Sequence, residues 1–192
     1  SINGLVFVRG QPLDYDTWGQ LGNRGWSFDD VLPFFQKMEH YEHGENELRS
    51  QGGPLRVSEA TDEGPLYDAI RAASTELGIP HNPDYNGKSQ EGIVRTQTTI
   101  SNGVRMSTAR CYLNPVKNRS NLRIETNAHV QRLLIDGKKC TGVHYKKNGQ
   151  DIAANADKEV IVCTGGVASP QLLELSGICL LYTSPSPRDR TR

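Results

Sequence analysis

An excess of charge of either sign is missing from this sequence: 22 lysines and arginines stand against 22 aspartates and glutamates. That balance advertises no phosphate backbone, anionic membrane or strongly acidic substrate, and no nucleic-acid partner is expected. No apolar run approaches the roughly 20 residues that cross a bilayer. No basic segment followed by an apolar one marks a secretory leader after Ser1, and the expected location is cytoplasmic. Cysteine is sparse: Cys111, Cys140, Cys163 and Cys179 form no Cys-x-x-Cys pair and have no histidine at zinc-finger spacing. A metal site is therefore not expected. His40 and His43 lie three apart on a predicted helix, but no third ligand accompanies them. Absent too are the Gly-x-Gly-x-x-Gly and Walker-type phosphate loops and the Gly-x-Ser-x-Gly elbow of hydrolases.

What remains has ordinary globular composition, 35% hydrophobic and 23% charged. From Ser27 to Tyr41, Val31, Phe34, Phe35, Met38 and Tyr41 recur at helical spacing, with Ser27 or Asp30 able to cap the start. Pro33 predicts a short turn before it and the main helix after it. After Gly64, Pro65 opens a second helix whose stripe Leu66, Ile70, Ala73 and Leu77 predicts packing against a core; Gly78 and Pro80 stop it. Pro83 to Gly87 is turn chemistry, and Ile93 to Ile100 reads as a strand returning at Asn102-Gly103. Ser107 caps a short helix through Leu113, ended by Asn114-Pro115.

The pattern then changes to strands: Leu122 to Thr126, Val130 to Ile135 and Thr141 to Lys146, with turns at Asp136-Gly137 and Asn148-Gly149, a β-meander. Glu159 to Thr164 is a nearly continuous apolar run of the kind buried on both faces of a parallel sheet. Gly165-Gly166 breaks it, and Ser169-Pro170 starts a helix carrying Leu172, Leu173 and Leu175. Strand, glycines and helix together aim backbone N–H groups and a helix dipole at an anion or a cofactor edge. A tight turn in an αβ unit accounts for the same residues equally well. The opening Ser1 to Gly10 is also double-edged. Asn3-Gly4 lets a flat ligand approach, since Gly4 has no Cβ, but a turn before a buried strand from Leu5 to Val8 uses the same chemistry.

Four ordered blocks decide between these readings. Ser-Ile-Asn-Gly-Leu-Val-Phe-Val-Arg-Gly, Asn23 to Trp26 with Val31 to Phe35, Asn102 to Ala109 with Tyr112 to Pro115, and Glu159 to Leu173 with Leu175 to Ile178 together resemble the glucose-methanol-choline (GMC) oxidoreductases. Gly166 stands where that family usually has a small residue such as Ala, and Glu174 where an apolar residue is common. The resemblance implies an α/β plus α+β fold: an FAD-binding Rossmann-like domain, incomplete and with a β-meander, and part of an antiparallel-sheet substrate domain. It divides the chain into residues 1–26 on the FAD side with the flavin-contact signature, 27–115 on the substrate side and 116–178 on the FAD side again. The implied cofactor is FAD, with Asn3, Gly4, Leu5 and Val6 along the isoalloxazine, the Val130 backbone at the adenine, and Gly165 and Gly166 near the cofactor. Arg95, Gln97 and Thr99 are candidates to face the substrate pocket, with the inward face of their strand left open.

The implied reaction moves a hydride from a small-molecule alcohol to flavin N5 while a histidine takes the hydroxyl proton. None of the five histidines here matches that position, so the catalytic histidine is expected beyond this stretch. The stretch reads as an internal part of a parent enzyme, inactive alone. Another two-dinucleotide-binding flavoprotein or a degenerate non-catalytic domain are the competing readings. Cys179 to Asp189 resembles the translation of a transposase sequencing adapter, which makes residues 179–192 an expected non-native tail; a disordered Ser/Pro/Arg linker is the alternative.

Overall fold

The computed structural model describes residues 4–61 and 64–178; Asn3 and the 179–192 tail lie outside the described residues. The chain forms two compact units, Ser1–Leu122 and Arg123–Arg192, with α-helices and β-sheets in both.

In the first unit, Pro12 opens helix α1 (Pro12–Gln20), where its missing N–H costs nothing. The Gln11 N–H donates to the Asp14 carboxylate at 2.7 Å. Helix α2 (Phe28–Met38) follows. The expected interruption at Pro33 does not occur: the helix runs through it. The carbonyl left without its donor belongs to Asp29, which is exposed, so water replaces the lost bond. Tyr15 on α1 packs edge-on to Trp18 and Phe35 at 5.5 and 5.6 Å, and Trp18 packs on Trp26 at 5.9 Å. These aromatic contacts join the two helices.

Strand β1 (Glu39–Tyr41) begins directly after α2, so His40 lies on a strand and not on the helix expected to carry it with His43. β2 (Leu55–Glu59) pairs with it in parallel, and β3 (Gln97–Thr98) pairs antiparallel with β2 through Ser58 and Glu59. The Asn102-Gly103 return is present: β4 (Ile100–Ser101) and β5 (Val104–Arg105) form a hairpin, with both turn residues at positive φ, 50° and 68°, as a type I′ turn requires. Ser107 accepts the Arg110 N–H, but the turn it caps is a π-helix, Ala109–Leu113. Helix α3 (Pro65–Glu76) has the expected bounds and not the expected packing. Its stripe faces solvent, Leu66 being 74% and Leu77 77% exposed, and among the described residues no element covers it. The core of this unit is Tyr41, Leu55, Val57, Tyr85 and Cys111.

The second unit is the meander, β6 (His129–Asp136), β7 (Lys139–Lys147) and β8 (Gln150–Asn155), with helix α4 (Gly165–Leu175). Leu133, Tyr145 and Leu172 are its buried hydrophobic residues. The Leu133 N–H donates to Ser176 Oγ at 2.8 Å, tying β6 to the end of α4. Two expectations fail here. Neither Leu122 to Thr126 nor Glu159 to Thr164 forms a strand. A parallel strand exists only through its neighbours, and among the described residues nothing lies beside either segment to complete a ladder. Helix α4 also begins earlier than expected, at Gly165 with Thr164 as its N-cap, so Pro170 sits inside it and Ser169 answers Thr164 across the first turn, Oγ to Oγ at 2.9 Å.

Candidate functional site

Alternation along the opening segment sorts its residues into two sets. Phe7 donates its N–H to the Gln97 carbonyl at 2.8 Å, and Leu5 accepts the Thr99 N–H at 2.9 Å. The segment therefore adds to the open edge of β3, with Val6 opposite Thr98. Leu5, Phe7 and Arg9 turn toward the protein, while Gly4, Val6 and Val8 turn out, Val6 54% and Val8 60% exposed. Leu5 holds φ at +65°, a left-handed conformation that costs a branched side chain roughly 1–2 kcal/mol. The ladder bonds at its own carbonyl and at the Phe7 N–H anchor the chain on its C-terminal side.

The inward set ends in a closed polar network. Glu39 and Gln97 are wholly buried, and Arg49 and Arg9 nearly so. Glu39 takes Arg9 Nη2 at 2.7 Å and Arg49 Nε at 3.1 Å. Arg49 Nη1 reaches Asp84 Oδ1 at 2.7 Å and Gln97 Oε1 at 3.0 Å. The guanidinium carbon of Arg49 lies 3.7 Å from the centre of the Tyr41 ring. Two cations thus face two carboxylates with no net charge left over, the condition under which ions tolerate burial. Burial pulls the Arg9 guanidinium below its usual range, and Glu39 opposes that pull. The Asp84 turn joins in: Tyr85 Oη donates to the Phe7 carbonyl at 2.9 Å, Asn86 Nδ2 donates to it at 3.0 Å, and Asn86 Oδ1 accepts the Arg9 N–H at 2.7 Å.

Of the three strand residues expected to face a pocket, Gln97 instead fills this network, Thr99 Oγ1 lies 3.4 Å from the Leu5 carbonyl, and the Arg95 guanidinium sits over the Tyr67 ring at 5.1 Å. Strand alternation puts the open face on the other register. Val6, Thr98 and Ser58 are aligned across three strands. Thr98 and Ser58 line a groove of about 660 Å³ with His40, Arg56, Ile100 and Ser101, a size suited to a small ligand. Reasoning from sequence missed Arg9, Glu39, Arg49, Asp84, Tyr85 and Asn86. The one available signal was Arg9 itself, a charge on the inward register of an otherwise apolar strand.

Burial also acts on two phenols here. Desolvation raises Tyr41 far above an ordinary phenol, with Asp84 and Glu59 adding to it, and raises Tyr85 against the opposing Gln97 backbone bond. Folding thus favours the neutral phenol. The stability this supplies is fully present below the unfolded value, about 10, and lost as pH rises through the higher folded values. The first unit is expected to unfold in alkali, and of the phenolate absorbance of the seven tyrosines the part removed by Tyr41→Phe and Tyr85→Phe is expected to rise together with loss of structure; that part appearing in a still-folded protein would contradict this.

In the second unit Val130 is half-buried opposite Tyr145 on β6, whose outer edge has no strand partner among the described residues. Gly165 takes φ +94°, and a Cβ at either Gly165 or Gly166 would meet nothing within 4 Å. At Gly4 a Cβ would meet only Val6 Cγ2, at 3.9 Å. The backbone at each of these glycines is thus open to approach within its own unit.

A mixed α/β chain with these surfaces has the fold of solved oxidoreductases. It superposes on pyridoxine 4-oxidase from Mesorbium loti with a TM-score of 0.83 at 31% identity, covering 92% of this chain and 35% of that one. An FAD-dependent oxidoreductase from Chaetomium thermophilum matches with a TM-score of 0.82 at 30% identity over 92% of this chain and 33% of that one. The chain belongs to the GMC oxidoreductase family, whose model matches residues 1–180. It is 44% identical over 178 residues to the mitochondrial choline dehydrogenase of Homo sapiens, covering 93% of this chain and 30% of that protein. The chain thus spans about a third of the length of the relatives it matches.

Proposed function

We propose that this chain is the stretch of an FAD-dependent oxidoreductase acting on CH–OH groups that presents the flavin to its alcohol. The observation that carries the reading is the outward register Gly4, Val6 and Val8 running across the sheet into the Thr98 and Ser58 groove. Residues 1–26 and 116–178 belong to the Rossmann-like FAD side and 27–115 to the substrate side. When bound, FAD supplies the hydride acceptor. Gly4 admits the ring system, Val6 and Val8 exclude water from it, and the Val130 backbone and the Gly165-Gly166 helix start hold the nucleotide portion. Thr98 and Ser58 supply hydroxyls to orient a small polar alcohol, in keeping with the choline dehydrogenase named at 44% identity. The proton-accepting histidine comes from outside this stretch.

The test is flavin retention. The full-length protein carrying this stretch is expected to leave gel filtration with bound-flavin absorbance and to reduce that flavin on adding an alcohol such as choline. The chain alone is expected to leave colourless, since its two candidate parallel strands have no ladder partners among the described residues and its sequence carries no phosphate-loop motif. A colourless full-length protein would refute the reading, and a yellow chain alone would refute the division of labour.

A further inference from the structure

Every main-chain polar group of Phe7 and Arg9 whose bond is assigned is taken by a residue from the substrate side. Phe7 N–H goes to Gln97, and its carbonyl accepts from both Tyr85 and Asn86. Arg9 N–H goes to Asn86 Oδ1, and its carbonyl accepts from Gln90 Nε2 at 2.8 Å. A two-ended amide is needed to do this: Asn86 donates to one peptide unit and accepts from the next, so it fixes the direction of the chain as well as its position. Tyr85 Oη likewise donates to Phe7 and accepts the Gln97 N–H at 2.8 Å, spanning the two paired segments. Both residues are buried, where a hydrogen bond is not diluted by water.

We propose that Tyr85 and Asn86 are positioning residues for the flavin-facing segment. By clasping its inner edge at Phe7 and Arg9 they hold the other edge of Gly4 to Val8 outward. They touch no ligand themselves. Their effect on a flavin is indirect: the peptide dipoles and apolar side chains beside the ring are fixed in direction, and fixed dipoles set how readily a bound flavin takes up charge. This rests on the function proposed above, while its geometric half does not.

The experiment uses the full-length flavoprotein and three variants: Tyr85→Phe, Asn86→Ala and, as a control of the same chemistry, Tyr67→Phe, whose hydroxyl has no hydrogen-bond partner. Two readouts are taken, amide hydrogen exchange at Phe7 and Arg9 and the reduction potential of the bound flavin. Tyr85→Phe and Asn86→Ala are each expected to speed exchange at those amides at least tenfold. They are also expected to move the oxidised–reduced equilibrium by up to tenfold, about 30 mV for a two-electron couple, with Tyr67→Phe silent in both. Unchanged exchange in Tyr85→Phe and Asn86→Ala overturns the clasp. Faster exchange with an unmoved potential overturns its role toward the flavin. If the wild-type full-length protein holds no flavin, the proposed function fails and exchange alone still decides the clasp.

Discussion

Replacing Arg49 with methionine is expected to cost the first unit about 3–5 kcal/mol, the range seen when one member of a buried ion pair is removed. Methionine keeps an unbranched stem but loses the guanidinium that lies over Tyr41, so the cation–π contact goes with the charge. What is lost is the charge that Glu39 and Asp84 both face, at 3.1 and 2.7 Å. Glu39 is wholly buried with no water to fall back on, Asp84 is only partly exposed, and Arg9 alone cannot serve both. Set against the typical 5–15 kcal/mol stability of a domain, roughly a third or more is removed. Glu39→Gln should be comparably costly, because two guanidinium groups would then face a neutral amide. Trp18 and Trp26 both lie in the first unit, so the urea midpoint followed by tryptophan fluorescence reads this unit directly. A midpoint within error of wild type would show that the network is dispensable.

The second large effect is expected at Gly142, in the middle of β7. An added Cβ there would lie 2.2 Å from the Ala154 carbonyl oxygen and 2.9 Å from the Asn155 Cα. Both belong to the backbone of β8, so no side chain can swing aside. Gly142 stands directly opposite Asn155 in the β7–β8 ladder, whose register runs without a shift. Gly142→Ala must therefore push β8 away from β7, at a cost of about 3 kcal/mol. Because no tryptophan reports on this unit, the measurement is amide exchange along β7 and β8. Those amides are expected to lose protection while the first unit keeps its own. Equal protection in variant and wild type would mean that the strands can relax without breaking their ladder.

Local chemistry was legible where it acts alone. Asn102-Gly103 and Asn148-Gly149 turn the chain where expected, and the meander follows from alternation between such turns. Pro65 and Gly78 bracket α3 correctly. What the pattern did not hold is what each face meets. Leu66 and Leu77 form a stripe that reads as core-facing, yet nothing described lies against it. Helix α1 escaped notice because none of its residues is buried and its apolar positions form no stripe. The two candidate parallel strands carry the right composition, but pairing is a property of neighbours and not of the segment.

The buried network was illegible for a different reason. Its members at positions 39, 49, 84 and 97 are each a residue type usually found in water with nothing local to distinguish them, and only Arg9 stands out, as a charge in an apolar strand. Pro83 to Gly87 was read as a turn, and it is one: the Asn86 N–H donates to Asp84 Oδ1 at 2.9 Å. The same carboxylate oxygen also receives Arg49, a partner 35 residues away that turn chemistry cannot indicate.

The spacing of those partners bears on how the molecule is made. The segment from Gly4 to Arg9 leaves the ribosome well before the residues that secure it, Asn86 following Arg9 by 77 residues and Gln90 by 81. At ordinary rates of synthesis this interval is on the order of ten seconds. During that time Val6, Phe7 and Val8 form an unpaired apolar strand, the kind of sequence chaperones bind and nascent chains aggregate through. The part of the protein proposed to meet the flavin thus waits, as it is made, for partners that are still to be synthesised.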